Sequence, residues 1–185
     1  MKKIIPIGKI CILLYEQTRL PDLAGNDRQI TSMLNIVLVN PEIPPNTGNI
    51  SRTCAVTGTR LHLIRPLGFE INDKTLKRAG LDYWKDLDVS YYDSFEELEA
   101  KYSDGRFFLT STHAVRSYAD VEYRDGDFLV FGRETAGLGP ELLTRRAKDA
   151  IRIPMRHDQR SLNLSNSAAI VLYEALRQTG FQGLE

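Results

Sequence analysis

Three polar segments of this chain hold the residue types from which a binding or catalytic site is built. The first is Asn46-Thr-Gly-Asn-Ile-Ser-Arg52, entered through a stiff Pro41-Glu-Ile-Pro-Pro45 turn that excludes a helix. Asn46 is a good N-cap for a helix over Thr47–Thr57 closed by Gly58. Free N–H groups at such a helix start attract an anion, and Arg52, about six residues on, can point back toward the same space. The second segment is Phe131-Gly-Arg-Glu-Thr-Ala-Gly-Leu138. Its Gly132 permits a ligand to approach the backbone, and Glu134 can hold a hydroxyl or amine. The third runs from Ile153 to Asn166 and offers Ser161, Asn163, Ser165 and Asn166, more small hydrogen-bonding side chains than one helix cap requires. That surplus suits a polar, nucleoside-like ligand. Taken one at a time, each segment also reads as an ordinary capped helix, turn or loop with solvated polar side chains.

Other chemistries lack their residues. There is no Gly-Lys-Ser/Thr phosphate loop and no dinucleotide glycine spacing. His62, His113 and His157 stand far apart, and two cysteines, Cys11 and Cys54, make neither a disulfide framework nor a zinc site. Cys54 falls on the apolar face of the first helix and reads as core rather than nucleophile. His157 lies in a basic, polar stretch and reads as a surface residue. No metal is expected.

The elements that must position these segments alternate between apolar β-rich runs and helical runs. Strands are expected at Leu34–Val39, Leu61–Ile64, Val89–Tyr92, Arg106–Thr110, Asp127–Phe131 and Ile151–Ile153. Helices are expected at Thr47–Thr57, Asp73–Ala79, Phe95–Tyr102 behind a Ser94/Glu97 capping box, Glu141–Arg146 and Asn163–Thr179. Such alternation implies an α/β domain with a mainly parallel sheet flanked by helices, whose ligands sit beyond the carboxyl ends of the strands. The three polar segments follow Val39, Phe131 and Ile153 and so meet that condition.

With 185 residues, 42% of them hydrophobic, the chain has enough apolar material for one core, and no run approaches a membrane span. Residues 1–32 read apart from the rest, as an extension, linker or over-extended start; Lys9 and Pro6 spoil any resemblance to a signal peptide, and a cytoplasmic location is expected. The formal net charge is +0, yet Arg145–Arg160 carries +4 and Asp86–Asp104 carries −6. Arg145, Arg146, Arg156 and Arg160, with a second cluster at Lys74, Lys77 and Arg78, are therefore the candidate contacts to a polyanion.

Read together, N-x-x-x-x-x-R at Asn46–Arg52, F-G-x-E-x-x-G-L at Phe131–Leu138 and I-P-M…S-L-N-L-S-N at Ile153–Asn166 resemble the three motifs of the SPOUT class of RNA methyltransferases. The stretch 33–185, with N-I-V-L-V-N-P-E-I-P-P-N-T-G-N-I-S-R from Asn35 and R-A-G-L-D-Y at Arg78–Tyr83, is similar to the TrmL/YibK type within that class, small tRNA 2′-O-methyltransferases acting at the wobble cytidine or uridine. The resemblance implies a SPOUT fold whose C-terminal segment forms a deep trefoil knot involving the second and third segments and the final helix. It implies S-adenosylmethionine (S-adenosyl-L-methionine) as cofactor, with Leu109, Gly132, Ile153 and Ser161 at cofactor-contacting positions. Arg52 matches the catalytic arginine, and Asn46, Glu134 and Asn163 match positions that orient it, the ribose or the cofactor. The implied partners are a tRNA anticodon stem-loop, with leucine tRNAs as expected substrates, and a second copy of the chain forming a homodimer through the final helix and Tyr173. Three other readings stay open at this point: methylation of another RNA such as rRNA, a non-catalytic RNA-binding module, and a generic doubly wound nucleotide-binding enzyme.

Overall fold

The apolar runs become the strands of one parallel sheet, as a strand buried on both faces requires. In a computed structural model, residues 33–70 and 87–185 are described. The extension 1–32, Cys11, the helix expected over Asp73–Ala79, the Arg78–Tyr83 stretch and the Lys74, Lys77 and Arg78 cluster lie outside the described residues. In chain order the elements are β1 (Asn35–Val39), α1 (Pro44–Thr57), β2 (Arg60–Ile64), β3 (Val89–Tyr92), α2 (Phe95–Lys101), β4 (Phe107–Thr110), β5 (Phe128–Phe131), α3 (Pro140–Arg145), β6 (Ala150–Ile151) and α4 (Leu164–Gln178). Sheet order is β3-β2-β1-β5-β4-β6, and every pairing is parallel.

Alternation along each strand divides the core between the two faces of the sheet. Ile36, Leu38, Leu61, Leu63, Leu129 and Phe131 face α1 and α4, meeting Ile50, Cys54, Ala168, Val171, Leu172 and Ala175. Val37, Ile64, Leu109, Phe128 and Val130 face the other way and meet Phe95 and Leu98 of α2, with Leu142 and Leu143 of α3 at the border. Burial pushes the Cys54 thiol pKa far up, so it behaves as a small apolar side chain.

Two element ends depart from the sequence expectation. Helix α1 does not begin after Asn46: Pro44 and Pro45 are its first helical residues, with Ile43 in extended conformation before them. Proline fits there because its fixed φ is already helical and its missing N–H would have no intrahelical partner. At the other end Gly58 adopts φ 65°, the left-handed stop expected of it. Strand β6 is only two residues long because Arg152 leaves β4 and pairs with the segment before a turn of 3-10 helix. Its N–H donates to Arg116 O at 2.9 Å, and Tyr118 N–H donates to Arg152 O at 2.8 Å. Ile153 is thereby released from the sheet. The Ser94 cap of α2 forms as expected, accepting the Glu97 N–H at 3.1 Å, while Glu97 in turn accepts the Asp93 N–H at 2.7 Å.

One polar cluster lies inside the sheet layer. His62 on β2 is 1% exposed, with Nε2 3.0 Å from Asn35 Oδ1 and Nδ1 3.3 Å from the Tyr92 hydroxyl. Asn35 Nδ2 donates to Gly126 O, which turns its Oδ1 toward the ring, so Nε2–H donates to Asn35 and the Tyr92 O–H donates to Nδ1. Both nitrogens of the neutral ring are satisfied. Burial lowers its pKa from 6.5 to about 4, against the weaker opposing attraction of Asp88. The unfolded chain therefore binds the extra proton first as pH falls. The His62 contribution is intact above about pH 6.5 and is lost on the way down to about pH 4, amounting to roughly 3 kcal/mol. Urea unfolding at pH 7 and pH 4.5 should show this loss in the wild-type chain and a shallower one in His62→Gln; equal slopes would contradict it.

Candidate active site

The sequence segments after Val39, Phe131 and Ile153 converge at the carboxyl ends of β1, β5 and β6. Here Asn46, Gly132, Glu134, Ile153, Arg160, Ser161 and Asn163 line one cavity of about 700 Å³, a size suited to a small-molecule ligand. Phe131, Leu138, Leu143, Ile153 and Met155 supply its apolar wall. Thr110, the last residue of β4, and Ser111, Thr112 and His113 directly after it supply a polar wall that the sequence reading missed. Their position just past a strand's carboxyl end was the available signal.

The polar residues of the motifs hold one another. Glu134 accepts the Glu42 N–H at 2.8 Å, the Ile43 N–H at 3.2 Å and the Asn46 side-chain amide at 3.0 Å. It thus caps α1 from a loop far along the chain, and its carboxylate takes the place an anion would occupy at that helix start. This corrects the expectation that the α1 N-terminus would bind a ligand. Asn46, the third helical residue rather than the cap, accepts the Asn163 side-chain amide at 3.0 Å. Asn163 in turn accepts the N–H groups of Ser165 and Asn166 at 2.9 and 3.3 Å and so caps α4. In the opposite direction, Glu42 accepts the Thr135 N–H at 3.2 Å and its hydroxyl at 2.7 Å.

Gly132 also has a different reason from the expected one. A Cβ there would lie 2.1 Å from the Gly137 carbonyl carbon and 2.2 Å from Leu138 N. The chain's own return, rather than a ligand, demands the glycine. Arg133 and Gly137 exchange backbone hydrogen bonds at 3.1 and 2.8 Å across that return, with Gly137 at φ 65°.

Other expected site residues stand elsewhere. Leu109 is fully buried in the β4 core and does not line the cavity. Arg52 is exposed on α1: six residues turn the helix by ~600°, so it faces ~120° away from Asn46 and does not point back into the cavity. Arg145 is spent on Glu96 at 3.1 Å and Glu99 at 2.7 Å, and Arg146 on Glu99 and Asp149, each at 3.3 Å. The basic and acidic stretches of the sequence therefore neutralise each other in part. Arg156 is exposed and lies 3.5 Å from Asp158, while Arg160 reaches the cavity rim. His157 is exposed, as expected.

The cavity fits a nucleoside-type cofactor. The Thr110 hydroxyl is buried at its wall and has no hydrogen-bond partner among the described residues, an acceptor and donor left for a polar ligand. Among those residues no group of His, Cys, Asp and Glu assembles that could hold a metal ion, and no helix is long and apolar enough to cross a membrane.

Glu134→Ala would strand three donors, two of them backbone N–H groups at the start of α1. Urea denaturation should show a loss of roughly 2–4 kcal/mol; an unchanged midpoint would mean that Glu134 does not hold the helix.

Known proteins share this architecture. An Escherichia coli protein named tRNA (cytidine(34)-2′-O)-methyltransferase is 49% identical over 152 residues, 82% of this chain and 97% of its own. A solved structure described as giving insight into 2-OH methylation of C/U34 on tRNA is 46% identical, with TM-score 0.75, covering 80% of this chain and 97% of the other. A SpoU methyltransferase from Streptomyces viridochromogenes, solved in complex with the cofactor AdoMet, is 26% identical with TM-score 0.68, covering 80% of this chain and 61% of the other. The family model described as the SpoU rRNA Methylase family matches residues 33–173, so this chain, with its parallel sheet and its three convergent motifs, belongs to the SpoU family of RNA methyltransferases.

Proposed function

We propose that this chain transfers a methyl group from S-adenosylmethionine to the ribose 2′-hydroxyl of the wobble nucleotide, cytidine 34 or uridine 34, in the anticodon stem-loop of tRNA, leucine tRNAs among them. The observation that carries the reading is the convergence of the three motif segments on one cavity, in a chain that spans nearly the full length of relatives named for this reaction. The catalytic domain is 33–185. The meeting of the 132–138 and 153–163 segments at the start of α4 supports the knotted path, and a cytoplasmic site of action follows from the tRNA substrate.

When bound, the cofactor supplies a methyl group on a sulfonium already reactive toward oxygen. The chain's task is positioning, which is worth several orders of magnitude in rate. Gly132, Ile153 and Ser161 hold the cofactor from the cavity wall, with Thr110 and Leu138 beside them and the Leu109 backbone behind. The Glu134–Asn46–Asn163 chain fixes the spacing of the wall. A guanidinium is a poor base, so the role of Arg52 is to bind the phosphate next to the target ribose and polarise the hydroxyl. Arg156 and Arg160 extend that phosphate track. Lys74, Lys77 and Arg78, outside the described residues, stay candidate phosphate contacts by their charge alone.

A second copy of the chain completes the site. The outward positions of α1 are Pro45, Asn49, Arg52 and Val56, and those of α4 are Asn166, Ile170, Tyr173 and Arg177. The two stripes share one helical spacing, on helices that pack together. They expose Val56 (58%), Tyr173 (47%) and Ile170 (36%), apolar surface suited to self-association. Arg52 stands on this face and would serve the partner's cavity across it.

Incubation with labelled cofactor and total tRNA, followed by mapping of the modified nucleotide, should place the methyl group on the 2′-oxygen of residue 34. Arg52→Ala should bind cofactor with unchanged affinity by calorimetry yet lose at least roughly 10²-fold in turnover; near-normal turnover would remove Arg52 from the reaction. Sedimentation at micromolar concentration should give a dimer, converted to monomer by Tyr173→Glu, and a monomeric wild-type chain would contradict the shared site.

A further inference from the structure

Methylation of a hydroxyl needs a destination for its proton, and the cavity offers few. Among the described residues, the titratable side chains that line it are His113, Arg133, Glu134 and Arg160. A guanidinium is a poor base. Glu134 has its two oxygens occupied by Glu42 N–H, Ile43 N–H and the Asn46 amide, so taking a proton there would break the cap of α1. The hydroxyls of Thr110, Ser111, Thr112, Thr135, Ser161 and Ser167 are not bases near neutral pH. An imidazole is the side chain whose ordinary charge change falls between pH 5 and 8.

His113 is also held where such a group would be useful. Ser111 N–H donates to Ile151 O at 2.9 Å, fixing the segment to the end of β6. The Ser111 hydroxyl accepts the His113 N–H at 3.2 Å, and the next residue, Ala114, is buried with its N–H turned to Ser111 O at 3.4 Å. The backbone is thus tied down on both sides of His113, while the residue itself is exposed at the cavity. The charged groups that share the cavity come from the other two segments: Arg133 and Glu134 from 132–138, and Arg160 from 153–163.

We propose that His113 accepts the proton of the ribose 2′-hydroxyl during methyl transfer. The proposal rests on the 2′-O-methyltransferase reading above and names the proton acceptor which that reading lacks. As O2′ forms its bond to the methyl carbon, the electron pair of the breaking carbon–sulfur bond stays on sulfur. The electron pair of the O–H bond stays on O2′, and the proton passes to an imidazole nitrogen. The imidazolium then releases it to water.

The test uses the full chain, S-adenosylmethionine and an anticodon stem-loop carrying cytidine 34. His113→Gln should lower kcat at pH 7 by roughly 10²- to 10⁴-fold, the usual contribution of a general base, with cofactor affinity by calorimetry unchanged. The acid limb of the wild-type pH–rate profile should vanish in that variant. Imidazole added to His113→Ala should restore turnover in a concentration-dependent way. In the wild-type chain without cofactor, adding the stem-loop should move the His113 ring resonances while leaving those of His62, buried in the sheet layer, in place. Full kcat in His113→Gln, or an acid limb that persists in it, overturns the proposal and leaves the methyltransferase reading standing. No transfer by the wild-type chain to any RNA overturns both.

Discussion

The carboxylate of Glu134 lies where the 132–138 loop meets the first turn of α1, and it is the acceptor for two backbone N–H groups and for Asn46. Through Asn46 it is joined to Asn163, and through Asn163 to the first turn of α4. Two helix starts and one strand-end loop, distant in sequence, are therefore bound by one line of hydrogen bonds. A charged acceptor is suited to this because donors at a helix N-terminus carry a partial positive charge and are costly to leave unpaired. The cavity wall inherits its shape from that line. Asn46, Glu134 and Asn163 line the cavity with their side chains already engaged with each other.

The sheet supplies the second constraint. Its two apolar faces are covered by different helix pairs, and the site lies at the strand ends nearest β1, β5, β4 and β6. His62, Asn35 and Tyr92 form a closed polar unit within one of those layers. It satisfies each polar atom of the neutral imidazole only in the observed register of β1 against β2, so a slipped pairing would leave buried polar groups without partners.

Much of this was legible from residue order. Strands β1 (Asn35–Val39) and β5 (Phe128–Phe131) are short, nearly continuous apolar runs, the mark of a strand buried on both faces, and they fall within the expected Leu34–Val39 and Asp127–Phe131. The convergence of the three motifs was legible through their positions after strand ends and through family resemblance. What failed did so because its cause is not local. Pro44 and Pro45 read as helix breakers, yet they begin α1 because a carboxylate about ninety residues later caps it. Gly132 does line the cavity as read, but what its missing Cβ must clear is the chain's own Gly137. Arg145 and Arg146 read as candidate contacts to a polyanion, because Glu96 and Glu99 approach them only in three dimensions. The Thr110–His113 wall carried no charge pattern or glycine signal and drew no notice.

The tight return at Gly132 has a thermodynamic corollary. With two backbone hydrogen bonds between Arg133 and Gly137 and no room for even a methyl group, this loop has little freedom left to surrender when a ligand enters. Its conformational entropy is given up during folding, so an incoming nucleoside meets one wall already rigid, while the 154–162 segment is largely exposed. Differences in affinity among ligands of this cavity should therefore be written mainly in that second segment.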